Sequence, residues 1–184
     1  DEREAFAHFA ESLPQSVVLL IDTYDTEAGA ARVVELAPQL AARGLAVHGV
    51  RLDSGDLGAH ARRVRAILDA GGLGRVTLFA SGSVDEYLIR DLLAQGAPID
   101  GFGVGTRLDT SSDAPALDCA YKLQEYAGRP CRKRSEGKAT WPGRKQVYRR
   151  YDEAGCCQGD TLALDAEVAD GVPLLAQVMH QGQR

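Results

Sequence analysis

Short apolar runs alternate with longer helical patterns through the first hundred residues of the chain. Residues 16–21 form a continuous apolar run, as expected of a strand that is buried on both faces. Three further strands and three helices are predicted in alternation, the strands at 46–50, 75–80 and 99–103 and the helices at 27–43, 57–70 and 84–95, each helix being followed by a glycine. This spacing requires right-handed crossovers, and it predicts an α/β fold with a parallel sheet.

The pattern changes after about residue 112. Residues 118–126, 145–151 and 160–165 are typical of β-segments separated by turns, which indicates an antiparallel appendage. We therefore predict two domains, a partial α/β barrel at 1–112 and a mostly β appendage at 113–184. Four strand–helix units are too few to close an eight-stranded barrel, so we expect an incomplete barrel with strands missing before residue 1.

Composition narrows the class of protein. The chain has 184 residues, 45% of them hydrophobic, and lacks an apolar stretch long enough to span a membrane. Its four cysteines, at 119, 131, 156 and 157, form no Cys-x-x-Cys motif and favour the reduced thiols of a cytoplasmic protein over a metal site. The net charge is −5, yet residues 129–150 hold nine Lys and Arg against one acid, which predicts an anionic partner or a solvated loop.

Polar and glycine-rich segments follow all four predicted strands of the first domain. These segments are Asp22 to Asp25, Arg51 to Asp56, Ser81-Gly82-Ser83 and Gly103-Val104-Gly105-Thr106. Because the carboxyl ends of parallel strands meet at one edge, we expect these segments to share a rim of the kind that binds phosphorylated ligands.

Each of these segments allows a functional and a structural interpretation. The amides of Gly103 to Thr106 can bind a phosphate, or the two glycines can simply serve a tight turn. The carboxylates of Asp22, Asp25, Asp53 and Asp56 can bind Mg²⁺, or cap helices, a role that we assign to Thr26 or Asp56. Arg51 is a natural partner for phosphate or for Asp53. Ser81 can approach a sugar, and Ser83 is assigned mainly to capping.

Four motifs together resemble nicotinate phosphoribosyltransferase over nearly all of residues 16–180. They are L-I-D-T-Y-D-T at 20–26, G-V-R-L-D-S-G-D-L at 49–57, G-A-P-I-D-G-F-G-V-G-T at 96–106 and S-E-G-K-A-T-W-P-G-R-K-Q-V at 135–147. The resemblance implies an incomplete α/β barrel of the type II phosphoribosyltransferase kind joined to a smaller, mostly β domain. Family chains are much longer, so we expect this chain to be an internal or C-terminal portion.

The resemblance also implies a reaction and roles for individual residues. Phosphoribosyl pyrophosphate and nicotinate would give nicotinate mononucleotide and pyrophosphate, coupled to ATP hydrolysis and dependent on Mg²⁺. Asp22 and Asp53 would act around the metal and the ribose hydroxyls, and Arg51 would contact the ribose–phosphate portion. Ser81 and Gly82 would flank the ribose, and Gly103, Gly105 and Thr106 would hold the 5′-phosphate. Lys122 would reach the phosphates of the partner's site across a homodimer interface.

The chain departs from the family pattern at two positions. The family's phosphoacceptor is a His followed by Ser, whereas His8 is followed by Phe9, so we expect the phosphoacceptor to lie outside this chain. Ser83 stands where many relatives carry Asp, which bears on the contribution of this position near the ribose.

Three alternatives stay open from the sequence. The related enzyme that uses nicotinamide is a close competitor, because residues that sandwich the base are expected upstream. A non-catalytic fragment that binds phosphate or only dimerises is a second alternative. A nucleic-acid-binding module is a third, prompted by Trp141, Tyr148 and Tyr151 among the cations of 129–150. The acidic remainder of the chain and the lack of a nucleic-acid motif argue against the third.

Overall fold

The computed structural model describes residues 1–114, 116–117 and 119–184. Contacts along the chain divide it into two compact units. The first unit comprises Asp1–Ala120 together with Lys133–Ala139, and the second comprises Tyr121–Arg132 together with Thr140–Arg184. Residues 133–139 therefore pack with the α/β part of the chain, although they follow part of the second unit in sequence.

Four parallel strands and five helices form the first unit. In chain order they are α1 (Glu2–Ser12), β1 (Val18–Leu20), α2 (Thr26–Ala41), β2 (Gly49–Leu52), α3 (Leu57–Ala70), β3 (Thr77–Ala80), α4 (Glu86–Ala94), β4 (Gly101–Phe102) and α5 (Thr106–Asp109). The strands are hydrogen-bonded in the order β1-β2-β3-β4, each pair parallel. The predicted α/β fold with a parallel sheet is confirmed.

The two faces of this sheet differ in burial. Leu19, Val50 and Leu78 are aligned across β1, β2 and β3 and are almost fully buried in the core. The core continues into the helices through Val33 and Val64, each completely buried. Burying a side chain of this size stabilises the fold by about 1.5–3 kcal/mol. The helices therefore cover one face.

The opposite face of the sheet is half open. Leu20, Arg51 and Phe79 are aligned there, and Phe79 remains 39% exposed. The Phe79 ring lies over Gly101, where an added Cβ would come within 2.5 Å of it. This face ends at the polar segments that follow the strands.

Aspartates cap the three long helices that follow the strands. Asp25 accepts a hydrogen bond from the Ala28 amide at 2.8 Å, and Asp56 accepts one from the Ala59 amide at 2.9 Å. Asp85 caps α4 in the same way. The carboxylate accepts an otherwise unpaired amide hydrogen and carries a charge that complements the helix dipole. Capping by Asp56 is confirmed.

The capping roles assigned to Thr26 and Ser83 are wrong. Thr26 is the first residue inside α2, because the neighbouring Asp25 already accepts the amide hydrogen bond at the cap. Ser83 has a positive φ of 55° and lies before the capping residue Asp85.

The second unit is antiparallel. β5 (Glu125–Tyr126) pairs with β6 (Arg129–Pro130), and β7 (Lys145–Tyr151) lies between β8 (Cys157–Leu164) and β9 (Val172–Pro173). An antiparallel β region after the parallel sheet was predicted and is confirmed. The predicted strand at 118–126 is reduced to Glu125–Tyr126, and its first residue, Asp118, lies outside the described residues.

The predicted boundaries of the second strand are displaced. The sequence placed it at 46–50, whereas β2 runs from Gly49 to Leu52. Gly49 pairs with Val18 on one side and Thr77 on the other, and a Cβ there would lie 2.8 Å from Thr77 Oγ1. The lack of a side chain lets the strands approach at this point, so the ladder starts at the glycine rather than at the preceding apolar residues.

Two properties bear on the class of protein. Within the described part of the chain, no helix is both long and apolar enough to cross a membrane. The four cysteines are free, and three of them are exposed.

Candidate functional site

The carboxyl ends of the four parallel strands bring the predicted polar segments to one edge. Asp22 lies two residues beyond β1, Asp53 directly follows β2, Ser81 directly follows β3 and Gly103 directly follows β4. The ladder continues into these ends, since the Ser81 amide donates to the Leu52 carbonyl at 2.9 Å and the Gly103 amide donates to the Ala80 carbonyl at 2.8 Å. The sheet therefore determines where these residues lie.

Asp53 is the centre of a connected network of side chains. Its Oδ1 accepts a hydrogen bond from Ser81 Oγ at 2.7 Å and lies 3.4 Å from an Arg51 guanidinium nitrogen. Arg51 Nε in turn donates to Ser81 Oγ at 2.8 Å. Three residues predicted from two strand-end segments thus form one closed polar triangle across β2 and β3.

Lys138 completes this network and was not among the predicted site residues. Its Nζ lies 2.6 Å from Asp53 Oδ2 and also donates to the Asp53 carbonyl oxygen. The sequence placed Lys138 in the basic run 129–150 without distinguishing it from its neighbours. Its place in the S-E-G-K motif was the one signal that could have selected it.

The environment of Asp53 favours its ionised form. Partial burial raises the pKa of this carboxyl, but hydrogen bonds from Lys138 and Ser81 outweigh burial, and the charges of Lys138 and Arg51 add to them. The net effect lowers the pKa of Asp53 below the usual value of 3.8. Asp53 is therefore an anion at neutral pH, held between two cations.

Asp22 is a buried residue that accepts hydrogen bonds from the turn that carries Asp53. The side chain is 1% exposed, and its Oδ2 accepts hydrogen bonds from the Asp53 amide at 3.1 Å and from Ser54 Oγ. Its other oxygen, Oδ1, is buried with no hydrogen-bond partner in the described part of the chain. These contacts hold the backbone turn that carries Asp53, so Asp22 orients the site rather than facing its opening.

Residues 133–139 dock onto the same edge, and we call them the docked segment. The Arg134 amide donates to the Thr23 carbonyl at 2.9 Å, and the buried Ser135 donates through Oγ to the Asp22 carbonyl. The docked segment thus contacts the residues that follow β1 and β2, and its Lys138 forms an ion pair with Asp53.

Gly82 allows the second and third strand ends to approach each other. It has a positive φ of 92°, and an added Cβ would meet the Asp53 carbonyl and, at 2.9 Å, Lys138 Nζ. Any larger residue would therefore displace the carbonyl or the ammonium group of the site.

The fourth strand end is more open. Gly103 and Gly105 are exposed, and Gly105 precedes the short helix α5, which begins at the exposed Thr106. A Cβ on Gly103 would lie 3.3 Å from the Ser81 Cβ, which places this turn beside the network. An open cavity of about 370 Å³ lies between them, lined by Val18, Arg51, Phe79, Ala80, Ser81, Phe102 and Gly103. This volume lies within the range of small-molecule sites.

The remaining predicted residue, Lys122, is an exposed residue of the second unit. It lines a surface cavity of that unit together with Tyr121 and Arg144. Its role in binding phosphates across a dimer interface stays a prediction.

A magnesium ion held directly between Asp22 and Asp53 does not fit these contacts. Asp22 is buried, its Oδ2 already accepts two hydrogen bonds, and its Oδ1 is enclosed in the core. Both oxygens of Asp53 are engaged by Ser81 and Lys138. Among the described residues, no group of three or more His, Cys, Asp or Glu side chains has the geometry to hold a metal. Mg²⁺ commonly binds through substrate phosphates and one or two carboxylates, so the prediction of a magnesium requirement itself is untouched.

This combination of fold and site defines a class of protein. A parallel sheet with helices on one face carries polar, glycine-rich turns at its carboxyl edge. These turns bring an arginine, a carboxylate and a serine hydroxyl together beside an open cavity. Such edges bind phosphorylated ligands in α/β proteins.

Comparison with known proteins identifies the family. No protein-family model matches the chain. The chain is 50% identical over 183 residues to nicotinate phosphoribosyltransferase pncB2 of Mycobacterium tuberculosis, covering 100% of this chain and 39% of that protein. It is 40% identical over 179 residues to nicotinate phosphoribosyltransferase of Bacillus subtilis, covering 92% of this chain and 36% of that protein.

A solved structure agrees with these sequence matches. The crystal structure of human nicotinic acid phosphoribosyltransferase superposes with a TM-score of 0.51 at 28% identity, covering 91% of this chain and 32% of the human chain. The chain is therefore homologous to a segment of the nicotinate phosphoribosyltransferases, and the family predicted from its motifs is confirmed. It spans less than two fifths of the length of the curated relatives named here.

Proposed function

We propose that the complete protein transfers the phosphoribosyl group from phosphoribosyl pyrophosphate to nicotinate. The bond between the anomeric carbon and the pyrophosphate oxygen breaks, a bond from that carbon to the ring nitrogen forms, and pyrophosphate leaves. The observation that carries this proposal is the joined network of Arg51, Asp53 and Ser81 at the sheet edge. Proteins similar in sequence to the chain that carries this network are named nicotinate phosphoribosyltransferases.

The charges of the network match the needs of this reaction. Positive charge develops on the ribose as the bond to pyrophosphate breaks, and negative charge develops on the leaving group. The ionised Asp53 suits contact with the ribose hydroxyls, while Arg51 and Lys138 supply the cations that phosphate oxygens require. Nicotinate must approach in line behind the ribose, and the open face beside Arg51 and Phe79 offers that approach.

The other strand ends suit the remaining parts of the substrate. Ser81 and Gly82 lie beside Asp53 and would flank the ribose. The exposed turn from Gly103 to Thr106 carries the Thr106 hydroxyl and the amides of Gly105 and Thr106, which suit the 5′-phosphate, while the Gly103 amide is already bonded to the Ala80 carbonyl. We further propose a homodimer in which Lys122 and other cations of residues 129–150 serve the site of the partner subunit.

Two further requirements belong to this proposal. Mg²⁺ would accompany the pyrophosphate group and neutralise part of its charge, rather than lie between Asp22 and Asp53. ATP hydrolysis would be coupled to the transfer through a phosphoacceptor His outside this chain. We place the reaction in the cytoplasm, in the synthesis of NAD.

We also infer that the four-stranded sheet is part of an incomplete α/β barrel of the type II phosphoribosyltransferase kind. The half-exposed face that carries Leu20, Arg51 and Phe79 supports this inference. In a barrel, further strands would turn this face into the interior and enclose the cavity at its rim.

A steady-state assay of the complete protein with each base tests the proposal. We expect pyrophosphate release with nicotinate and phosphoribosyl pyrophosphate, and far less with nicotinamide. Arg51→Lys keeps the charge but loses the forked geometry, so we expect it to raise the KM for phosphoribosyl pyrophosphate. A preference for nicotinamide would instead assign the related enzyme. Binding of phosphoribosyl pyrophosphate without turnover of either base would assign the non-catalytic alternative.

A further inference from the structure

The docked segment is held at the site by a tight turn. The Lys138 amide donates to the Ser135 carbonyl at 3.0 Å, and Gly137 within the turn has a positive φ of 67°. Ser135 anchors one end of the turn to Asp22, and Lys138 anchors the other to Asp53. Glu136 lies between these two anchors, so a contact at Glu136 restrains the same turn that carries Lys138.

His60 is the residue that faces Glu136. It is a buried residue of α3, 9% exposed, and its Nε2 lies 3.5 Å from Glu136 Oε2. Its other ring nitrogen, Nδ1, lies 2.8 Å from Glu27 Oε1 on α2. The imidazole thus stands between two carboxylates, one on a core helix and one in the docked segment.

Gly55 leaves the space that this contact needs. It has a positive φ of 71°, and an added Cβ would lie 2.7 Å from His60 Nε2 and 2.6 Å from Glu136 Oε2. The flexible position in the Arg51–Asp56 turn therefore opens onto the contact between His60 and Glu136. The turn that carries Asp53 and the docked segment that carries Lys138 meet at this point.

We propose that His60 is a positioning residue that docks Glu136 and thereby holds Lys138 against Asp53. The role of Lys138 in catalysis rests on the proposed function, whereas the docking itself does not. His60 touches neither the network of Arg51, Asp53 and Ser81 nor the cavity beside it in the described structure. It acts on the site through the backbone turn of residues 135–138.

Protonation of His60 should strengthen the docking. A neutral ring with its hydrogen on Nε2 can donate to Glu136 alone, whereas the protonated ring can donate from Nδ1 to Glu27 and from Nε2 to Glu136 at the same time. Arg63 on the same helix opposes protonation, since one of its guanidinium nitrogens lies 3.1 Å from Nδ1, although Arg63 is itself paired with Glu27. Asp56, whose carbonyl accepts the His60 amide hydrogen, adds a negative charge near Arg63.

Hydrogen exchange of the docked segment tests this inference without reference to activity. The amides of Arg134 and Lys138 are compared in the wild-type protein and in Glu136→Gln, at about pH 5.5 and about pH 8, the range over which His changes charge. Glu136 is exposed, so the substitution does not threaten the core. We expect about two- to fivefold lower protection in Glu136→Gln at the lower pH, as for a partly exposed ion pair, and a smaller difference at the higher pH.

Two controls sharpen this experiment. Glu35→Gln removes an exposed carboxylate from α2 and should leave the protection of both amides unchanged. His60→Gln keeps a side chain that donates a hydrogen bond but cannot be protonated, so its protection should not depend on pH beyond the intrinsic exchange rate. Equal protection in Glu136→Gln and wild type at the lower pH would overturn the proposal, as would the same difference at both pH values.

Kinetics then separate this proposal from the proposed function. In the active protein, Glu136→Gln should raise the KM for phosphoribosyl pyrophosphate about two- to fivefold at the lower pH, with kcat little changed. An inactive protein that still shows the pH-dependent protection would contradict the proposed function and leave the docking by His60 established. An active protein without that protection would support the proposed function and contradict the docking by His60.

Discussion

Lys138 Nζ lies 2.6 Å from Asp53 Oδ2, although 85 residues separate the two along the chain. The contact joins the end of β2 to the docked segment. It brings the Lys138 ammonium, the Asp53 carboxylate and the Arg51 guanidinium together at the edge of the sheet. A purely structural ion pair at a surface contributes little stability. The geometry therefore predicts larger effects on catalysis than on folding.

Asp53→Asn should separate these two effects. The substitution keeps the size of the side chain but removes the charge that faces Arg51 and Lys138. We expect turnover to fall about 100-fold or more, as for the loss of one group that stabilises developing charge, while the free energy of unfolding falls by about 1 kcal/mol. Steady-state kinetics and urea unfolding of the complete protein measure the two quantities.

The matched control for this variant is Asp91→Asn. Asp91 pairs with Arg90 at 2.7 Å on the exposed surface of α4, so its loss removes an ion pair of similar length that involves none of the residues at the strand ends. Turnover of the control should stay close to that of the wild type. If Asp53→Asn lost stability and turnover in equal measure, Asp53 would have a structural role.

Lys138→Met should change how stability depends on pH. Burial alone would raise the pKa of Asp53, and the contacts with Lys138 and Ser81 reverse this, so the pKa in the folded state lies below that in the unfolded state. A carboxyl with a lowered pKa stabilises the fold above its unfolded pKa, and that contribution is lost as the pH falls through the folded pKa. The wild type should therefore lose this contribution below about pH 4.

Removing the ammonium group raises the pKa of Asp53 toward its unfolded value, so Lys138→Met should lose less stability on acidification than the wild type. Urea unfolding at a series of pH values measures the difference between the two curves. Glu27 also has a lowered pKa, because bonds from Arg63 and His60 outweigh the effect of its burial, and it contributes to both curves alike. Parallel curves for the two proteins would show that Lys138 does not act on Asp53 in solution.

The sequence predicted the elements of the first unit better than it predicted the contacts of the site. The bounds of α3, Leu57–Ala70, follow from the spacing of its apolar residues and the glycine after it. The four polar strand ends could be placed at one edge because parallel strands all end on the same side. Local patterns suffice for both inferences.

The contacts that the sequence could not predict are long-range. Lys138, Ser135 and Glu136 stand in a run of cations, and nothing in their local pattern shows that they return to the first unit while the flanking residues join the second. Asp22 was predicted as a catalytic residue and a metal ligand from its place in the L-I-D-T-Y-D-T motif and among the carboxylates at the strand ends. Its burial depends on Ser54 and Ser135, which close over it from two other segments.

Substitutions of Asp22 should distinguish orientation from metal binding. Asp22→Ala leaves the Asp53 amide and the Ser54 hydroxyl without an acceptor, at a cost of about 1–3 kcal/mol in the free energy of unfolding. Asp22→Asn retains one acceptor oxygen and should cost less. If Asp22 only orients the turn, Asp22→Asn leaves the dependence of turnover on Mg²⁺ concentration unchanged. A shift to a much higher Mg²⁺ requirement would instead support the predicted role of Asp22 as a ligand.

Gly29→Ala should destabilise the fold at the point where α2 meets the end of β1. A Cβ at position 29 would collide with the backbone carbonyl of Ile21, the residue before Asp22, and a backbone atom cannot move aside as a flexible side chain can. We expect the collision to cost about 1–3 kcal/mol, against which the better helix propensity of alanine recovers about 1 kcal/mol. Thermal unfolding measures the net loss as a lower midpoint.

Gly58→Ala is the matched test, because Gly58 also lies in the first turn of a helix that follows a strand. A Cβ there would approach Leu92 Cδ2 at 3.1 Å, and the end of a leucine side chain can turn away. Since the gain in helix propensity is the same at both positions, Gly58→Ala should leave the midpoint unchanged or raise it, while Gly29→Ala lowers it. Equal midpoints for the two variants would mean that α2 can shift away from β1, and Asp22 would then lack the rigid support that the site requires.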